Sequence, residues 1–176
     1  MTAQTLDDLF SELEAAERER RRPPVARWQP TREGVIDIRI AADGTWYHEG
    51  TAFQRPALVR LLASVLRRDG DAYFLVSPQE KLRIDVADVP LLALDFEYRG
   101  EGDSTDILFT TNGGDYVTVD AEHAITLRGD RPYLHVRDGL EALIVRSAFY
   151  RLLDLGVDVG GAIRLHSRGQ AFDLPY

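Results

Sequence analysis

The chain contains no cysteine. That excludes disulfide staples, thiolate nucleophiles and cysteine-ligated zinc, and it suits a reducing compartment. Histidine is scarce: His48, His123, His135 and His166 are the full set. None stands in an HxH or HExxH spacing, so no single strand or helix brings two imidazoles to one metal, and no metal or other cofactor is expected. GxGxxG, P-loop and GxSxG motifs are absent, which removes the usual phosphate cradles and the hydrolase nucleophile elbow. Long apolar runs are absent too. The longest fall far below the ~20 residues that cross a bilayer, so no membrane insertion is expected. The N-terminus is polar and acidic before any apolar run, unlike a secretory leader, and a cytoplasmic location is the expectation. Positive charge is in deficit: 21 Lys and Arg against 29 Asp and Glu leave −8. Such a chain is a poor general nucleic-acid binder. Its basic run, Arg18 to Arg22, fits the C-terminal end of a solvated helix.

What is present fills 176 residues, one ordinary domain or two small ones, with an apolar share of 44% that supports a sizeable core. Residues 5–20 have the pattern of an amphipathic helix, with Leu6, Leu9, Phe10 and Leu13 on one face and Thr5 as N-cap. Pro23-Pro24 stops it. This arm either packs on its own domain or serves as an oligomer or partner contact. The measurement that separates these is the mass in solution after deletion of residues 1–24.

Val35 to Ile40 alternates as a strand, Asp43-Gly44 is a hairpin signal, and Thr45 to His48 returns. A helix starts at Pro56 and ends at Asp69-Gly70. Strands follow over 72–76, 81–86 and 91–98, with a turn at Ser77-Pro78-Gln79-Glu80. Gly100 to Ser104 reads as the domain junction. Beyond it, strands over 107–111 and 116–119 flank Asn112-Gly113-Gly114-Asp115, and strands over 124–127 and 133–136 follow. The chain is then expected to turn at Asp138-Gly139 into a helix from Leu140 to about Leu155, apolar on more than one face and centred on Phe149. Ala162 to His166 and Gln170 to Leu174 form a last pair.

Two stretches echo each other. Trp46-Tyr47-His48 before a helix matches Tyr133-Leu134-His135 before a helix, and Arg55 to Leu62 aligns with Arg146 to Leu153. Phe74 to Asp85 also lies over Phe109 to Asp120. The order of the two echoes is reversed between the halves, as after a duplication with exchanged strands. The class is α+β, with duplicated units of antiparallel sheet plus helix. The divisions are residues 1–27 for the arm and linker, 28–100 for the first repeat and 101–176 for the second.

The residue types that bear on chemistry are cationic and aromatic: Trp46, Tyr47, Arg55, Lys81, Arg83, Tyr133, Arg137 and Arg146, with His48 and His135 at strand ends. Arginine forks bind carboxylates and phosphates, and aromatic faces stack on planar rings. The same residues serve equally as surface ion pairs and core aromatics. Asn112 to Asp115 also offers main-chain N–H groups to an anion.

The segments Asp43 to Gly50, Arg55 to Arg60, Pro78 to Lys81, Thr111 to Asp115 and Arg131 to Leu143, in that order, resemble the uncharacterised bacterial family known as domain of unknown function 1285. The resemblance runs over residues 28–155 and weakens after Gly156. The family often has Arg-Pro where Arg146-Ser147 stands and Pro where Ala124 stands. The resemblance implies a duplicated core whose second half is like a pleckstrin-homology fold. It also implies a site for a nucleotide-type ligand at the repeat interface, and a role in signal transduction. Carried to positions, that site is Trp46, Tyr47, His48, Lys81, Tyr133, His135 and Arg137.

The expected function is therefore non-catalytic binding of a small nucleotide-type or other anionic ligand. Two alternatives stay open. One is a hydrolase of a phosphorylated or acylated small molecule, with His48 or His135 as base and Glu49, Glu80 or Asp138 as partner. The other is a protein–protein interaction module.

Overall fold

A computed structural model describes Leu6 and residues 22–176. The helix expected over 5–20 therefore lies outside the described residues, apart from Leu6. The chain divides into two compact units, Met1–Asp88 and Val89–Tyr176. Gly100 to Ser104 is not the division. It connects two paired strands inside the second unit, and a hairpin connection cannot separate domains.

The first unit contains β1 (Arg32–Ile40), β2 (Trp46–His48), β3 (Thr51–Ala52), α1 (Pro56–Ala63), β4 (Leu66–Asp69), β5 (Ala72–Val76) and β6 (Glu80–Val86). They form one six-stranded sheet in the order β3-β2-β1-β6-β5-β4. Neighbours are antiparallel except β1 and β6, which run parallel at the centre. Asp43-Gly44 turns β1 into β2, with Asp43 Oδ1 accepting from Thr45 N–H at 2.9 Å. Period-two alternation puts Ile38, Ile40, Leu82 and Ile84 into the core. Pro56 opens α1 because its missing N–H costs nothing there, and Leu61, Leu62 and Ala63 are its buried residues. The helix is shorter than its apolar pattern suggests. Ser64 closes it, its hydroxyl donating to Leu61 O, and Leu66 already begins a strand.

The second unit contains β7 (Leu91–Arg99), β8 (Asp106–Thr111), β9 (Tyr116–Thr118), β10 (Ile125–Arg128), β11 (Arg131–Arg137), β12 (Leu140–Ile144) and α2 (Arg146–Asp154). A three-stranded sheet of β13 (Val157–Asp158), β14 (Ala162–Ser167) and β15 (Gln170–Pro175) follows. The six-stranded sheet runs β10-β11-β12-β7-β8-β9, again with its first and sixth strands, β7 and β12, parallel. Leu91, Ile107, Phe109, Leu134 and Leu140 are among its fully buried side chains.

Leu140 to Ile144 is thus a strand and not the start of a helix. Asp138 and Gly139 both have positive φ, 47° and 76°. That is the geometry of a two-residue hairpin turn, which returns the chain as a strand. Leu140, Ala142 and Ile144 are buried and alternate with half-buried Glu141 and Leu143. A strand face and a helix stripe read end to end looked like one helix apolar all round. The true helix buries only Ala148 and Leu152, and Phe149 is half-buried.

Read from its first strand, each unit has the same sheet order: third, second, first, sixth, fifth, fourth. The duplication is therefore in straight chain order, and no strand exchange is needed. What moves is the helix, which follows the third strand in the first unit and the sixth in the second. The straight correspondence has its own marker at the turn between fourth and fifth strands. Gly70-Asp71 and Gly129-Asp130 occupy these turns, with φ of 61° and 64° at the glycines. An arginine lies over a tyrosine ring beside each turn: Arg68 over Tyr73 at 5.6 Å and Arg128 over Tyr133 at 3.5 Å.

Gly100 is a glycine whose replacement is costly by geometry. Its φ is +90° and an added Cβ would lie 2.1 Å from Ser104 O. Gly100→Ala is expected to destabilise the second unit by about 1–3 kcal/mol in urea unfolding. Gly129→Ala is the control: its φ is +64° but nothing lies within 4 Å. The clash predicts that Gly100→Ala costs clearly more, and equal costs would remove it.

Candidate functional site

Two of the seven expected site residues, Trp46 and His48, share one side of β2. Trp46 pairs with Ile40 and His48 with Ile38, so both rings stand on the apolar face of the sheet. Trp46 is 2% exposed, yet its indole N–H has no hydrogen-bond partner among the described residues. The half-buried His48 ring also has none, and lies nearly parallel to Phe53 with centroids 6.3 Å apart. Buried donors are almost always paired, so an orphan beside an unpaired imidazole is unusual.

Tyr47 and Lys81 face the other side of the same sheet. Tyr47 carries the Arg39 guanidinium 4.5 Å above its ring. Lys81 is held by Asp69 and Glu33, each at 3.1 Å, and lies 4.3 Å from the Phe74 ring centroid. The two are not together. Tyr47 pairs through Arg39 with Asp85, and Lys81 is four residues along β6 from Asp85, roughly 13 Å at ~3.3 Å per residue.

The Lys81 cluster has an electrostatic signature. Burial pushes the Asp69 carboxyl up, but hydrogen bonds and charge from Arg67 and Lys81 outweigh it and hold it below the ordinary carboxylate value. Hydrogen bonds to Asp69 and Glu33 hold the Lys81 ammonium above its ordinary value. For the lowered acid, the stabilisation is full above the unfolded value and is lost as pH falls through the folded one. For the raised base, it is full below the unfolded value and is lost as pH rises through the folded one. First-unit stability is therefore expected to be flat near neutrality and to fall below about pH 4 and above about pH 10. Urea midpoints against pH check this, and Asp69→Asn should flatten the acid limb.

In the second unit, Tyr133, His135 and Arg137 lie along β11, with an irregularity in its pairing between His135 and Arg137. Tyr133 is buried beneath Arg128, which also pairs with Glu141 at 2.9 Å. Arg137 Nε donates to Asp115 Oδ1 at 3.0 Å, and the two side chains are 13% and 3% exposed. The other Asp115 oxygen accepts from the Thr111 hydroxyl at 3.0 Å, whose own oxygen accepts from Asp115 N–H. Asn112 to Asp115 is thus a closed turn that receives an arginine. His135 Nδ1 lies 2.8 Å from Glu122 O, and its Nε2 accepts from Gly139 N–H at 3.3 Å.

No hydrogen bond joins His48 or His135 to Glu49, Glu80 or Asp138. The imidazole that does face a carboxylate is His123, whose Nδ1 lies 2.9 Å from Asp120 Oδ1. It is not among the expected site residues, although Asp120 and His123 stand three apart in a loop, a spacing that lets an Asp side chain accept from groups two and three residues on. Among the described residues no three His, Asp or Glu side chains come together so as to hold a metal ion, and no helix is long and apolar enough to cross a membrane.

What the described residues of the two units define is a duplicated α+β protein, mostly strand, with α1 packed in the first unit and α2 in the second. Residues 23–89 match the N-terminal domain, and residues 90–174 the C-terminal domain, of the family of unknown function DUF1285. The chain belongs to that family. The two matched segments meet within one residue of the division after Asp88. Among solved structures it is similar to a DUF1285 family protein from Silicibacter pomeroyi DSS-3, at 44% identity and a TM-score of 0.82, covering 93% of this chain and 94% of that one. It is also similar to a DUF1285 family protein from Shewanella baltica OS155, at 34% identity and a TM-score of 0.58, covering 66% of this chain and 90% of that one. No curated protein matches.

Proposed function

We propose that the protein binds a small nucleotide-type ligand without turning it over, in the cytoplasm, as part of a signalling process. The observation that carries this reading is the buried Trp46 N–H on the same strand face as the His48 ring, neither of which has a hydrogen-bond partner among the described residues. An acceptor on a flat heterocycle would satisfy the indole, and its ring would extend the near-parallel His48–Phe53 pair. A non-catalytic role is favoured because neither His48 nor His135 is bonded to an acid that could tune it as a base. In the second unit, six strands followed by a helix are compatible with a pleckstrin-like core.

A thermal-shift panel of nucleobases, nucleosides and nucleotides tests the reading. A ligand at ~100 times its Kd adds roughly 2.7 kcal/mol to stability. One class in the panel is expected to stabilise the protein, with the shift lost in His48→Ala. Absence of any stabiliser across the panel counts against it.

A further inference from the structure

We propose that the His135 imidazole is a proton-operated latch on the Asp138–Gly139 hairpin tip, with His123 as its electrostatic neighbour. The protonation state of the ring follows from its partners. Glu122 O can only accept, so Nδ1 carries the hydrogen of that 2.8 Å contact. Gly139 N–H can only donate, so Nε2 is bare. Only neutral, Nδ1-protonated His135 satisfies both. A second proton would place an N–H against the Gly139 N–H, turning an attraction into a repulsion.

The tip is poised to respond. It is a two-residue turn between Arg137 and Leu140, with a non-glycine residue, Asp138, at φ 47°. Asp-Gly is a favoured pair for such a turn, so contacts around the tip and not backbone strain decide its response. The His135 ring is one of those contacts, and it ties the tip to the loop before β10.

Charged and titratable groups surround the ring. His123 stacks on His135 with centroids 6.0 Å apart and a 27° interplanar angle. Asp120 accepts from His123 N–H, from the His123 ring and from Glu122 N–H. Burial pushes the Asp120 carboxyl up, but those hydrogen bonds outweigh it and keep it below the usual range. Glu141 is the cross-strand partner of His135 and is held by Arg128. Arg137 is bound to Asp115, and Asp138 and Glu122 add carboxylates in the turn and the loop that hold the ring. A proton on His135 thus meets the Gly139 N–H, beside the stacked His123 ring.

The test is an NMR titration of the full chain between about pH 8 and pH 5, where imidazoles change charge. It follows the His135 and His123 ring signals, the Gly139 amide shift, and the Gly139 exchange rate relative to its intrinsic rate. The Gly139 amide is expected to move with the His135 midpoint. Its protection should fall roughly fivefold, the equivalent of one net hydrogen bond of about 1 kcal/mol. In His135→Gln the step at Gly139 should vanish. In His123→Phe it should persist with a displaced midpoint. The proposal is overturned if His135 stays neutral throughout, if Gly139 is indifferent while His135 titrates, or if the step survives in His135→Gln.

Discussion

Arg137→Ala is expected to destabilise the second unit by about 3–5 kcal/mol, a large fraction of the stability of a small domain. The guanidinium is nearly buried against Asp115, whose side chain is 3% exposed. Removing the arginine takes the Nε–Oδ1 ion pair from a buried carboxylate that also accepts from the Thr111 hydroxyl. The cost of a buried charge deprived of that partner, more than the lost attraction, sets the magnitude. Arg137→Met with Asp115→Leu removes both charges and should recover most of the loss. A double-mutant cycle in urea isolates the coupling. A cost below about 1 kcal/mol for Arg137→Ala would mean that the pair behaves like a surface ion pair.

Phe109→Ala is expected to cost about 3–5 kcal/mol as well, through a cavity in the second unit. Phe109 lies on β8 with 0% exposure, and its ring meets that of Phe96 at 5.4 Å. The sequence singles out Phe149 instead, as the centre of a long buried helix. That residue is half-buried on a helix whose buried residues are Ala148 and Leu152. Phe149→Ala should therefore cost clearly less, about 1 kcal/mol, the centre of the range for single substitutions. Urea unfolding of both variants gives the comparison. Equal losses would mean that the burial of these two rings does not control their contribution.

Most strands were legible because their signals are local. Asp43-Gly44 and the Asn112 to Asp115 turn mark hairpins by chemistry that operates over a few residues, and alternation marks the strands beside them. The parallel pairs β1–β6 and β7–β12 were not legible. Their partners are far apart in sequence, as with Arg32 and Glu80, and no local pattern announces them. The echo of Phe74 to Asp85 in Phe109 to Asp120 is real as hairpin chemistry. It pairs fifth and sixth strands with second and third, so it misled about the order of the duplication. The Gly-Asp turns at Gly70 and Gly129 held the better evidence, hidden by a one-residue difference in the distance to the following tyrosine.

The candidate site was legible by residue type and not by arrangement. Strand alternation sends Tyr47 to the face opposite Trp46 and His48, a consequence of period two that composition does not weigh. Whether Lys81 and Arg137 are ligand-binding cations or members of ion pairs was not legible, because their acids come from elsewhere in the chain. Asp69 is 12 positions from Lys81 and Asp115 is 22 from Arg137. A sequence gives no account of which charges are already neutralised. The orphaned indole N–H of Trp46 likewise becomes visible only once its neighbours are known.

The most direct measurement of the binding reading is the indole N–H resonance of Trp46. The chain has two tryptophans, so Trp28→Phe leaves Trp46 as the sole indole signal. A panel of nucleobases, nucleosides and nucleotides is titrated into that protein. The reading predicts that one class shifts the Trp46 N–H downfield in a saturable way as the donor gains an acceptor, and that His48→Ala weakens the response. A folded protein whose Trp46 N–H stays unmoved by every member of the panel would contradict it.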